Sequence, residues 1–222
     1  MKKLVYGLSG LISVCFSIQD VRANEPFDLA SAIADLKSGS CDLRGLYGQL
    51  DVYQKNAPNQ EEKFDAQQFL LAVAIKINDE WEGDLIPSRE SEFCPGILAQ
   101  SSNQWHRAFA FIGLAGEYMA DRRTRELAIP VLTNAIAQIE SIELNPNDLS
   151  PVLAYFNGLC VEEDGPDWYK RVFSGMLGEV YVSLERLDEA EEIRKKIVSP
   201  HWQKLLGDSI QKRKQVIKVR TD

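Results

Sequence analysis

Apolar residues recur at three- and four-residue steps along nearly the whole chain, and no stretch alternates apolar with polar. That spacing lines apolar side chains on single faces of helices and gives no strand a buried side. The expectation is an all-α fold without a sheet. Phe27, Ala30, Ile33, Ala34 and Leu36 form the first face, which stops at Gly39. Leu43, Leu46, Leu50 and Tyr53 form the next, after Asp42, whose carboxylate can cap a helix N-terminus. Residues 60–81 read as the longest early helix, and "SRESEFCPGILAQSS" as a short helix broken at Pro95 and Gly96. Trp105, Phe109, Ile112, Ala115 and Met119 mark a further helix. A charged turn at 121–124 follows, then a helix over 127–142 in which Pro130 falls within the first turns, where a missing donor does little harm. An unpaired helix over roughly 148–160, a turn at "EEDGPD", a hairpin of 168–184 and 187–198, and a last helix from Pro200 towards Val219 complete the chain. One continuous domain is expected, with an N-terminal helical region (24–101) and a second helical region (102–222).

The first residues are expected to stand outside the fold. Lys2 and Lys3 precede an apolar run from Leu4 to Ile18, and Val21 and Ala23 occupy the −3 and −1 positions of a cleavage site. This is the order of a secretory signal peptide ending at Ala23. The run is shorter than the ~20 residues of a spanning helix, so no integral membrane span is expected after cleavage. The address is then exported, periplasmic in a bacterium, with secretion as the other destination. Cys15 has bulky neighbours, Val14 and Phe16, where a lipid-attachment signal carries small ones.

Formal charge is −8 over the 222 residues. Removal of residues 1–23 takes away Lys2, Lys3, Arg22 and Asp20, leaving about −10. The distribution is uneven: from Arg194 onward nine Lys or Arg stand against Asp208 and Asp222. An acidic body repels phosphate backbones, which argues against a nucleic-acid partner. The basic end suits weak electrostatic contact with a membrane, a partner or the body itself. Of the cysteines left after cleavage, Cys41 and Cys94 each sit at a helix boundary and are expected to pair, leaving Cys160 as a buried free thiol.

"LGEVYVSLERLDEAEEIRKKIVSP" resembles a tetratricopeptide repeat. The Leu-Gly-x-x-Tyr of that family's first helix matches Leu177, Gly178 and Tyr181, and Ala190 stands nine residues after the Tyr, as in its second helix. Small residues at 178 and 190 allow two helix backbones to approach closely. Leu114, Ala115 and Tyr118 repeat the theme, with Ala128 and Ala135 in the second helix if its turn has gained one residue. Pro146 and Pro200 fall near where the family ends a unit. The two tyrosines are 63 positions apart, against a family period of ~34. The likeness is good over 171–200, fair over 105–146 and weak elsewhere. It implies antiparallel hairpins stacked as a short, irregular solenoid, or a helical bundle, with Gly178 against Ala190. It also implies a partner-binding groove lined by Phe109, Ile112, Gly116 and Met119 in one unit and by Val172, Gly175, Glu179 and Val182 in the other.

Chemical motifs are sparse. His106 and His201 are far apart, and His106 follows Trp105 on an apolar helix, where packing is the ordinary role. No His and Cys set has metal-ligand spacing, no Gly-rich phosphate loop precedes a helix, and "FSGMLG" is not a Gly-x-Ser-x-Gly elbow. "EEDGPD" lacks the ligand spacing of a calcium loop. Glu117 and Glu179 are the best acids for a glycan-cleaving cleft, being on otherwise apolar helices. No catalytic, metal or cofactor residues are therefore assigned. The functional expectation is a non-enzymatic protein–protein binding or scaffold module of the bacterial envelope. The alternatives are a small periplasmic enzyme acting on the cell wall, or an inhibitor or immunity-type protein neutralising a basic partner.

Overall fold

The computed structural model describes residues 27–39, 41–80, 85–140, 143–164 and 167–221, and among these there is no strand. The helices are α1 (Leu29–Ser38), α2 (Leu43–Asn56), α3 (Gln60–Glu80), α4 (Glu90–Gln100), α5 (Gln104–Ala120), α6 (Ala128–Ala135), α7 (Pro151–Asp164), α8 (Trp168–Ser183), α9 (Leu187–Lys196) and α10 (Pro200–Thr221). Their packing makes an all-α bundle or short solenoid. The expected signal peptide lies outside the described residues.

Local chemistry explains most helix ends. Asp28 accepts Ala30 N–H at 3.0 Å and Ser31 N–H at 3.3 Å, and Asp42 accepts Arg44 N–H at 3.2 Å. Gly39 closes α1 at φ 71°, a conformation that costs glycine little. Glu185 adopts φ 62° after α8. Arg186 N–H reaches Tyr181 O at 2.9 Å, and Glu185 N–H reaches Val182 O at 3.1 Å. These two bonds make a Schellman cap with a glutamate where glycine is usual.

Three boundaries differ from expectation. α4 runs through Pro95 without a break. The proline forfeits one backbone bond, while Phe93, Cys94 and Ile97 on the same helix are buried. The expected single helix over 127–142 is composite, a 3-10 turn (Arg125–Leu127), α6, and a π-helical segment (Ile136–Glu140) in which Ile139 is fully buried. α7 extends to Asp164, so the acidic part of "EEDGPD" is helical rather than a turn.

Two large apolar clusters meet across α5. Ala110 and Leu114 face the first, built mainly from α1 to α4. Trp105, Ala108, Phe111 and Ala115 face the second, with α6, Leu144, Leu153 and α8. α5 pairs with both α4 and α6, and α6 with α8. α7 reaches back to α1 and α3, placing Val152 in the first cluster and Leu153 in the second. A third, smaller cluster of Val182, Ala190, Ile197, Leu206 and Ile210 joins α8, α9 and α10.

Two close contacts differ from expectation. The nearest side-chain atoms to a Cβ placed on Gly178 belong to Leu206 of α10, at 2.3 Å, not to Ala190. Ala190 is fully buried in the same third cluster. Likewise Gly175 lies under Trp202, at 2.8 Å. The small residues of α8 thus admit α10, the next helix but one in sequence. The expected Cys41–Cys94 disulfide is absent, and both residues are free thiols. Cys94 points into α5 beside Gly113, and burial with nearby Glu90 and Glu117 pushes its thiol up to about 12. Cys41 is only partly buried, and its thiol is raised by burial, then by Asp35 and Asp42. The side chain of Cys160 lies outside the description.

A charged link joins α2 to α4. Arg89 Nη1 donates to Asp51 Oδ1 at 2.5 Å, its Nε donates to Glu92 Oε2 at 2.6 Å, and its guanidinium stacks over the Phe93 ring. Hydrogen bonds from Lys55 and Arg89 hold the Asp51 carboxyl below its ordinary range, and Arg89 does the same for Glu92. A carboxylate depressed in the folded state contributes stability above its unfolded value, near 4, and loses it as pH falls through the folded value. Unfolding followed against pH should show stability declining below about pH 4. In Arg89→Met part of that acid decline should be missing. An identical decline in the variant would mean that the link is too solvated to matter.

Candidate functional site

The residues expected to line a partner groove do not form one continuous surface. Val182 is buried in the third cluster with Leu206 and Ile210 of α10, so α10 covers that end. Gly175 is likewise covered by Trp202. Phe109, Ile112 and Met119 of α5 and Val172 of α8 are each half-buried, packed against the second cluster while keeping part of their surface in solvent. The Phe109 and Trp168 rings lie 5.5 Å apart, which ties the start of α8 to the middle of α5. Glu179 is half-buried on α8. What remains of the groove is a short stripe on α5 and α8.

His106 sits in a buried polar node between the two large clusters. Its Nε2 lies 2.9 Å from Asp65 Oδ1, and since a carboxylate only accepts, Nε2 carries the hydrogen. Its Nδ1 lies 2.9 Å from Glu61 Oε2 and 3.1 Å from Ser101 Oγ. Ser150 Oγ donates to the same Asp65 oxygen at 2.5 Å and accepts Leu153 N–H in the first turn of α7 at 3.2 Å. Gln68 Nε2 donates to His106 O at 2.7 Å. Trp105 Nε1 reaches Asn145 O, and Asn103 Nδ2 reaches Asp148 O, both at 2.8 Å. The node therefore fastens α3, the entrance to α5 and the approach to α7 at one point.

Serine, imidazole and carboxylate in this order are also the parts of a nucleophilic triad, but the setting is different. Ser101 is 5% exposed and His106 1%. Ser101 Oγ is also engaged by Asn103 N–H at 3.1 Å. A triad acts on a substrate that reaches its nucleophile, and here the side chains are enclosed by their own helices. The arrangement satisfies polar groups that would otherwise be costly to bury. No sequence signal joins Asp65 to Ser150, which are 85 positions apart.

The two acids weighed for catalysis are also placed. Glu117 accepts both the backbone N–H of Ser91 and its Oγ–H, the latter at 3.0 Å. It thereby caps the first turn of α4 from a neighbouring helix. With Ser88, Ala120, Asp121, Arg122 and Arg123 it borders a broad depression of about 710 Å³ open to solvent, not a sheltered cleft. Among the described residues no group of three or more His, Cys, Asp or Glu is placed to hold a metal ion.

α10 carries the remaining charged feature, one that composition indicated without geometry. Leu206 and Ile210 anchor its first half. Further along, Arg213 Nη2 and Arg220 Nη1 both donate to Glu185 Oε1, at 2.8 and 3.1 Å. The two arginines are seven residues apart, so they lie on one side of the helix and hold it against the α8–α9 turn. Glu185 was not singled out in the sequence, because its left-handed backbone and its partners are both products of folding. Among the described residues no helix is long and apolar enough to cross a membrane.

Compared with known proteins, the chain matches no family model, and no curated protein and no solved structure matches it significantly.

Proposed function

We propose that this chain is an exported, non-enzymatic helical-repeat protein that holds a protein or peptide partner in a bacterial envelope, in the periplasm. The observation that carries the reading is the stripe on α5 and α8, where Phe109, Ile112, Met119 and Val172 are anchored in the second cluster yet keep a solvent-facing side. Anchored apolar side chains on rigid helices offer a partner segment surface to bury at little cost in ordering. The resemblance to tetratricopeptide repeats supports this use, since that family recognises partners through its first helices. A binding role is further supported by the engagement of Glu117 in capping and by the enclosure of His106. Export rests on the order of charge, apolar run and small residues in 1–23.

A photo-crosslinking amino acid at position 119, introduced in the producing cell, tests the reading. One discrete adduct is expected, and Ile112→Asp should abolish it. The same adduct pattern from the exposed position 34, on α1, would sink the proposal.

A further inference from the structure

The basic residues of α10 divide by type and by side. Arg213, partly buried, and Arg220, exposed, share Glu185. Lys204, Lys212, Lys214 and Lys218 are all exposed. Leu205 is 43% exposed, Val216 42% and Val219 79%. At 100° per residue, Leu205, Lys212, Val216 and Val219 fall within about 60° of one another, with Leu206 and Ile210 turned towards the protein. Beyond Ile210 the helix runs a further eleven residues, about 16 Å. Asp208, in the first half, is the one acid of α10. Lys212 lies within this strip, Asp208 about 20° beyond Val219, Lys204 and Lys218 about 60° and 100° beyond it, and Lys214 on the opposite side. The outer face is therefore an apolar strip with lysines along one flank, on a helix held in place by paired arginines.

We infer that the outer face of α10, from Leu205 to Val219, docks on an anionic lipid surface, with the valines entering the interface and the lysines meeting the headgroups. Two properties of the chain point to lipid as the occupant. Lysine is a strongly hydrated point charge on a long apolar stem, suited to laying its stem along an apolar surface while its ammonium meets phosphate. The rest of the chain is acidic, with net charge −8 even including the basic end, so an anionic surface repels the body and admits α10 alone. The contact is thus oriented and salt-sensitive, and it leaves the α5–α8 stripe uncommitted. It does not depend on the partner-binding proposal, and its test uses no protein partner.

Co-sedimentation of the full chain with phosphatidylcholine vesicles, with and without about one third phosphatidylglycerol, reads the interaction as a difference. The apolar run at Leu4 to Ile18 is present in every sample, so only its charge-independent contribution cancels. The charge-matched variants Lys204→Glu/Lys212→Glu and Arg122→Glu/Arg123→Glu separate the helix from net charge. Partitioning to anionic vesicles should exceed that to neutral ones, and fall about tenfold or more in Lys204→Glu/Lys212→Glu but much less in the arginine variant. Raising salt to about 0.5 M should remove most of the difference. Val216→Ser/Val219→Ser should weaken binding while leaving its salt dependence. Equal partitioning to both vesicle types, or full binding by the lysine variant, overturns the inference. So does binding to poly-glutamate without binding to vesicles, which would make the occupant an acidic protein.

Discussion

Gly178→Ala is expected to destabilise the protein strongly, by about 3 kcal/mol, although alanine is the better helix former. A Cβ at this position would lie 2.3 Å from Leu206 Cδ2 and 2.9 Å from its Cδ1, distances that no packed side chain tolerates. Leu206 cannot simply turn away, since it is 2% exposed among Val182, Ala190, Ile197 and Ile210. The helix propensity gained is about 1 kcal/mol, too small to offset displacement of α10. Urea unfolding of Gly178→Ala, Leu206→Ala and the double variant tests the contact. Leu206→Ala alone opens a cavity and should cost 2–5 kcal/mol, about the range for such truncations. The double variant should be more stable than the sum of the two losses predicts, because the new methyl occupies space that the leucine vacates. Additive losses would place the two residues out of contact and put α10 elsewhere.

Asp65→Ala is expected to cost a similar amount, about 3 kcal/mol, from a residue with no part in the apolar clusters. One oxygen of Asp65 accepts from both His106 Nε2 and Ser150 Oγ. Truncation leaves the buried His106 Nε2–H and the partly buried Ser150 Oγ–H without that acceptor, and an unmet buried donor costs more than a made bond contributes. Ser150→Ala removes a donor and a turn contact but leaves His106 with Asp65, so about 1 kcal/mol is expected. Glu117→Ala, which removes an exposed cap, is the comparison and should cost less than Asp65→Ala. A loss below about 1 kcal/mol in Asp65→Ala would show that water replaces the carboxylate and that the node does not fasten the seam.

These variants mark the division between pattern and packing. Helix positions followed from local rules: Asp28 and Asp42 cap α1 and α2, Gly39 ends α1, and the apolar steps from Trp105 to Met119 define α5. Each rule involves residues within a turn or two of one another, so the information is contiguous in the chain. Pro95 shows its limit, since burial of Phe93, Cys94 and Ile97 carries α4 through a residue that local propensity reads as a break.

The amino-acid sequence by itself determined that the chain is helical, which faces of its helices are apolar, and that its end is basic. Only the tertiary structure decided what those faces meet. Gly178 was legible as a site of close approach, but Leu206, which approaches it, is 28 positions away and carries no mark of the role. Cys41 and Cys94 suggested a bridge by position, whereas folding turns Cys94 into the α4–α5 contact as a free thiol. The same holds for Glu185, an ordinary turn residue until folding gives it a left-handed backbone and two arginines. Helix formation depends on residues one turn apart, while packing partners are set by three-dimensional proximity, which sequence separation does not encode.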